Sequence, residues 1–159
     1  MATGLSNRLA LETYLEDRIK IYEHGQRGLN SLYLIMMDVN HFKRINDNYG
    51  HPEGDRALRT VSDVLKEIAD NYAGDIIFAR FGGDEFCAVF EAKSEHAVKQ
   101  LCALIKKTLV DKSEHLKYRL GISAGYAEYT GKGMRLGLLY EEADKALYED
   151  KCKMNGQAN

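Results

Sequence analysis

An α+β fold, with a mostly antiparallel central sheet covered by helices, is what the sequence predicts, and three observations carry that expectation. Apolar runs of strand length alternate along the chain with longer stretches of helical periodicity. Two of the runs, Ile76-Ile77-Phe78-Ala79 and Phe86-Cys87-Ala88-Val89-Phe90, flank a turn containing Gly82-Gly83, which is the pattern of a hairpin and so of antiparallel pairing. The 159 residues are 45% apolar and 29% charged with a single proline, which suits one domain over residues 1–159 with a core of its own.

Each element has its own signal. A leading helix starts after Ser6 or Asn7, either of which can cap it, and turns Leu11, Leu15, Ile19 and Tyr22 to one side. Gln26 to Ser31 reads as a loop. Leu32-Tyr33-Leu34-Ile35-Met36-Met37 is unbroken apolar, the pattern of a central strand buried on both faces. A short helix follows Asp38. A longer one from Glu53 to Asn71, with Pro52 at its start, places Ala57, Leu58, Val61, Val64, Leu65 and Ile68 on one face. After the hairpin, Ser94 caps a helix to Lys112 with Ala97, Leu101, Leu104, Ile105 and Leu109 expected inward. Tyr118 to Tyr126 alternates as a strand with many small residues on one face, and helical spacing returns at Tyr140, Ala143, Asp144 and Leu147.

Composition narrows the function. A net charge of −2 gives no basic excess for a nucleic-acid polymer as main partner. Small anionic ligands remain compatible, since a helix end, a few lysines and a cation can hold them. Cys87, Cys102 and Cys152 are odd in number and lack zinc spacing, so buried free thiols in a reducing compartment are expected. With no leader-like segment and no apolar run near the length of a membrane span, the domain is expected in the cytoplasm.

The chemistry concentrates in acids at turns. Asp84 and Glu85 follow the two glycines, where building a tight turn requires neither. Asp38 ends the apolar strand; alone it reads equally as a strand-end residue or a helix cap. If the hairpin pairs beside that strand, the three acids converge at one edge of the sheet. Two carboxylates about 4 Å apart repel by about 4 kcal/mol at an effective dielectric near 20. Such a site must keep a proton or hold a cation, and oxygen ligands suit Mg²⁺ or Mn²⁺ in phosphoryl or nucleotidyl transfer. Backbone N–H groups of the short helix, with Lys43 or Arg44, can cradle a phosphate. Asn46 offers a donor and an acceptor, and Asp55 can accept the paired N–H edge that guanine has and adenine lacks. Each also has a plainer reading, Asn46 at a helix-end turn and Asp55 as a first-turn acid favoured by the helix dipole.

Read together, these residues resemble the GGDEF domains, the diguanylate cyclases. Gly82-Gly83-Asp84-Glu85-Phe86 matches the family signature letter for letter. Asp38, Asn40, Phe42, Lys43, Ile45, Asn46, Asp47, Gly50, His51, Gly54 and Asp55 match the run that precedes it, and Ala143 to Tyr148 a later one, so the resemblance covers nearly the whole chain. It implies a palm-like α+β fold and the joining of two GTP molecules into cyclic di-GMP by a homodimer. It implies a metal, Mg²⁺ or Mn²⁺, held by Asp38, the Val39 carbonyl and Asp84, with Glu85 as a further ligand or proton acceptor. It also implies that Asn46 and Asp55 read guanine, that His51 lies near the nucleotide, that backbone from His41 through Phe42 to Lys43 cradles phosphates, and that Lys151 serves the polyphosphate.

The start, Ala2-Thr3-Gly4-Leu5-Ser6-Asn7-Arg8, falls almost inside the family's leading motif, which usually follows a sensor domain, so an excised domain of a sensor-linked protein is expected. Two departures stand out. Where the family commonly continues Lys with Gly-Arg-Asn, the chain reads Lys151-Cys152-Lys153-Met154-Asn155-Gly156-Gln157, so Asn155 or Gln157 replaces a phosphate-binding arginine. The Arg-x-x-Asp that many members carry before the hairpin, a surface site for inhibition by product, is replaced by Ala73 and Ile76, or by Tyr72 and Asp75 with one insertion. The first departure favours a rival reading, a GTP-binding sensor module with weak or no turnover. A generic palm nucleotidyltransferase explains the acids but not Asn46 with Asp55.

Overall fold

The computed structural model describes residues 5–25, 30–72, 75–131 and 133–157, with side chains as far as Met154. Its elements are α1 (Arg8–Glu23), β1 (Ser31–Val39), α2 (Phe42–Tyr49), α3 (His51–Asn71), β2 (Asp75–Gly82), β3 (Glu85–Ala92), α4 (Glu95–Lys112), a 3-10 turn (Ser113–His115), β4 (Ile122–Glu128) and α5 (Leu136–Gln157). The expected α+β architecture and element order are present. The sheet runs β2-β3-β1-β4 and every strand pair is antiparallel.

The unbroken apolar run becomes β1 because the sheet has helices on both faces. Tyr33, Ile35, Met37 and Val39 meet Ile45 of α2, Val61 and Leu65 of α3, and Leu101 and Ile105 of α4. Leu32, Leu34 and Met36 meet Leu11 and Leu15 of α1 and Leu139, Ala143 and Leu147 of α5. Each large aliphatic side chain among them, fully buried, contributes about 2 kcal/mol.

The structure resolves or shifts several expectations. Asn7 is the α1 cap, its Oδ1 accepting the Ala10 N–H at 2.8 Å. Ser6 instead clips onto the β2 edge, giving its N–H to Phe78 O at 3.3 Å and accepting from Arg80 N–H at 3.2 Å. On α4 the buried stripe is Val98, Leu101, Ile105 and Leu109, while Leu104 is 44% exposed. A stripe advancing by three then four residues leaves Leu104 on the flank. The fourth strand starts at Ile122, later than its alternation predicts, because Val39, the last residue of β1, pairs with Ile122. Upstream of it, Leu120 N–H finds the Ser113 hydroxyl at 2.7 Å and the Tyr118 hydroxyl reaches Glu53 O at 3.1 Å, so those residues bond outside the ladder.

All three thiols are free; Cys87 is buried, Cys102 half-buried and Cys152 exposed, which corrects the expectation of buried thiols for the last. Burial pushes the Cys87 thiol well up and the Cys102 thiol up to about 11. Among the described residues no helix is long and apolar enough to cross a membrane.

The small face of β4 has a clear use. A Cβ on Gly125 would lie 2.0 Å from the Leu147 backbone nitrogen, so α5 crosses β4 in direct backbone contact. That approach sets the height of α5 above the end of β1.

Candidate functional site

The site is built at the C-terminal end of β1. Register places Asp38 opposite Glu85 on β3 and Ser123 on β4. Directly opposed residues share a face of the sheet, so Asp38 and Glu85 lie on the α5 side. Val39 N–H donates to Asp84 O at 3.1 Å, which ties the strand end to the hairpin turn. The expected convergence of the three acids is therefore present.

The turn is held open for them. Gly82 has φ 144° and Gly83 φ 51°, a range in which a side chain is strained. Arg80 then braces the turn, its Nε and Nη2 donating to Gly83 O at 3.1 and 2.8 Å. On the other flank Asn40 N–H donates to Gly121 O at 2.9 Å and the Ser123 hydroxyl donates to Asn40 Oδ1 at 2.6 Å.

The three acids differ in exposure. Asp38 is only 8% exposed, Asp84 half-buried and Glu85 exposed. Burial pushes the Asp38 carboxyl above its usual range; Lys151 opposes this, while Asp84 and Asp144 reinforce it. Oδ2 of Asp38 pairs with the Lys151 ammonium, and Oδ1 is buried without a hydrogen-bond partner among the described residues. An orphaned buried carboxylate oxygen is costly and fits a cation ligand. Among the described residues no three acid, histidine or cysteine side chains form a complete ligand set, so a bound cation would draw on backbone carbonyl, water or phosphate oxygens as well.

A second part of the site leaves β1 through α2. His41, at φ 56°, is the only described non-glycine residue in the left-handed region, and its side chain does not cap α2. That leaves the first-turn N–H groups, beginning at Phe42, without a side-chain acceptor from the cap. Phe42 packs against the core below while Lys43 is exposed. Gly50, at φ 91°, both ends α2 and starts α3, and Pro52 sits in the first turn of α3. His51 and Asp55 are exposed on α3. Half-buried Asn46 lies against Gly54: a Cβ there would fall 1.8 Å from Asn46 Oδ1. Gly54 is thus the notch that seats the Asn46 amide beside the start of α3.

Three contacts escaped the sequence reading. Arg80 sits just before the glycines, so proximity hinted at its brace. Asp144 bears on the charge of Asp38, and only helix register against the sheet could have revealed it. Asp150 accepts the Ala124 N–H at 2.8 Å and the Lys106 ammonium at 2.8 Å, partners remote in sequence and, for Ala124, carrying no side-chain signal. Of the segment before the hairpin, Ala73 lies outside the described residues, Tyr72 packs on Phe90 and Asp75 is exposed.

The sequence model of the family described as diguanylate cyclase, GGDEF domain, matches residues 1–157. The chain is 35% identical over 152 residues to diguanylate cyclase DgcP of Pseudomonas aeruginosa, covering 94% of this chain and 22% of that protein. It is 31% identical over 161 residues to cyclic di-GMP phosphodiesterase NbdA of the same organism, covering 94% of this chain and 19% of that one. The GGDEF domain of DgcB from Caulobacter crescentus, solved in complex with c-di-GMP, superposes with a TM-score of 0.77 at 30% identity, over 94% of this chain and 86% of that one. The chain spans about a fifth of the length of these two curated relatives.

Proposed function

The chain belongs to the GGDEF, diguanylate cyclase, family, and from that premise we propose that it condenses two GTP into cyclic di-GMP with release of pyrophosphate. The 3′-hydroxyl of one GTP attacks the α-phosphorus of the other; the new P–O bond forms as the bond to pyrophosphate breaks, and the reciprocal attack closes the ring. Each domain holds one GTP, so two domains must face each other as a homodimer. The pairing of Asp38 with Glu85 beside the buried, unpartnered Oδ1 of Asp38 is the observation that chiefly supports this reading.

In it, Asp38, the Val39 carbonyl and Asp84 hold Mg²⁺ or Mn²⁺, with Glu85 as a further ligand or as acceptor of the hydroxyl proton. When bound, the cation supplies positive charge that offsets the reacting phosphates. The α2 N-terminus at Phe42 and Lys43 binds phosphate, Asn46 and Asp55 read guanine, and His51 lies beside the nucleotide. Lys151, relieved of Asp38, turns its charge to the polyphosphate. The domain works in the cytoplasm, joined to a sensor domain; the greater length of the curated relatives supports the second point.

Base selectivity follows from the notch at Gly54. GTP is expected to bind at least about tenfold tighter than ATP, because each polar group that the bound base covers without a matching partner costs about 1–3 kcal/mol. Gly54→Ala drives its Cβ into the place of the Asn46 amide. That amide is the end of a flexible side chain and can move, and alanine favours the helix by about 1 kcal/mol, so the fold survives. Calorimetry should show GTP affinity falling while ATP affinity holds. Equal GTP and ATP affinity in the wild type means guanine is not read here.

Product inhibition before the hairpin is not expected, since neither register supplies an arginine. Cyclic di-GMP titrated into protein whose GTP site is filled by a non-hydrolysable analogue should not bind at micromolar concentration. Binding that persists there and disappears in Asp75→Ala contradicts this. The loss of a cation at Asn155 or Gln157 favours a second reading, a GTP-binding module that turns over slowly or not at all and acts on a neighbouring domain.

A further inference from the structure

We infer that Asp150 is a positioning residue for the reaction, acting through Lys151; the inference rests on the cyclase reading of the site. The need for such a residue follows from how α5 is packed. Its buried apolar stripe, Leu139, Ala143 and Leu147, ends at the backbone contact with Gly125. From Tyr148 to Met154 no side chain is buried, and Tyr148 and Cys152 are exposed. Among the described residues, the end of α5 that carries Lys151 therefore has no fully buried apolar anchor, and polar contacts set its rotation.

Asp150 makes those contacts at a place that needs them. β4 is an edge strand, since the sheet ends there. An outward N–H on an edge strand lacks a ladder partner. Asp150 Oδ2 accepts the one on Ala124 at 2.8 Å, and the same oxygen accepts from Lys106 Nζ at 2.8 Å. Lys106 belongs to α4, in the helix layer on the other face of the sheet from α5. One carboxylate thus reaches round the sheet edge and ties α5 to both the strand and the opposite layer. Charge-assisted hydrogen bonds of this kind are short and directional.

Lys151 is the next residue, about 100° round the helix and about 1.5 Å further along. With Asp150 fixed on β4, Lys151 is directed to the end of β1, where it pairs with Asp38. Releasing Asp150 lets the unanchored end of α5 rotate or lift, and the ammonium leaves the phosphate position even though Lys151 itself is intact.

The test is a double-mutant cycle with cyclic di-GMP formation and GTP affinity as readouts, alongside exchange of the Ala124 amide. Asp150→Ala should lower kcat/KM about tenfold, mostly through KM, and add little to the loss in Lys151→Ala, because displacement and removal of one ammonium are the same loss. Asp150→Asn, which keeps an acceptor for Ala124 N–H, should recover most of it. The Ala124 amide should exchange faster in Asp150→Ala than in the wild type or in Lys151→Ala. Independent, multiplying effects of the two alanine variants overturn the inference, as does an Ala124 amide that exchanges equally fast with and without Asp150. Wild-type protein that binds GTP without turnover contradicts the cyclase reading alone, and the same cycle is then read in GTP affinity. Wild-type protein that binds no GTP overturns both.

Discussion

Asp38→Asn is expected to cut cyclic di-GMP formation at least about a hundredfold, some 3 kcal/mol of transition-state stabilisation, which is the scale on which a clamped cation acts. The same variant should melt no lower than the wild type at neutral pH. Burial holds the Asp38 carboxyl above its usual range despite Lys151. A carboxyl raised on folding leaves the folded state binding more protons than the unfolded chain. Stability then falls as pH rises from the unfolded pKa through the folded one, and the whole penalty is present above the folded pKa. Asparagine removes that penalty, and the Lys151 side chain, already 39% exposed, can turn to solvent. Glu85→Gln should likewise abolish product with the fold intact. A Glu85→Gln enzyme near wild-type rate removes Glu85 from the chemistry, and a sharp fall in melting temperature in Asp38→Asn shows that the carboxylate serves stability instead.

Gly125→Val should have the largest effect on stability. Its Cβ would lie 2.0 Å from Leu147 N and 2.4 Å from Ala146 C, both backbone atoms that cannot rotate away. α5 must lift off β4, and overpacking of this kind costs about 3 kcal/mol. Denaturant melts should show that loss, and the surviving folded protein should make little product, because lifting α5 carries Lys151 away from Asp38. Unchanged stability would mean that α5 does not cross β4 in backbone contact.

Much of this was legible in the sequence because period and turn chemistry report local structure well. The β1 run, the Gly82-Gly83 hairpin and the α3 stripe each appear where the pattern predicts them. The acids converge because register at one hairpin and one strand pair settles where Asp38 and Glu85 lie. What escaped was set by tertiary reach. The start of β4 depends on where β1 ends, not on the alternation of its own residues. Leu104 belongs by type to the core, but the rotation of α4 on the sheet turns it outward. The role of Asp150 depends on a backbone N–H left open by the sheet edge, which no pattern in α5 announces.

The most direct test of the central claim is to incubate the protein with GTP and Mg²⁺ and resolve the products by chromatography with mass detection. Cyclic di-GMP and pyrophosphate are expected, with no cyclic dinucleotide from ATP and a rate per protein molecule that rises with protein concentration as paired domains form. GTP recovered unchanged, although calorimetry shows it bound, would contradict the cyclase assignment and leave a guanine-nucleotide sensor.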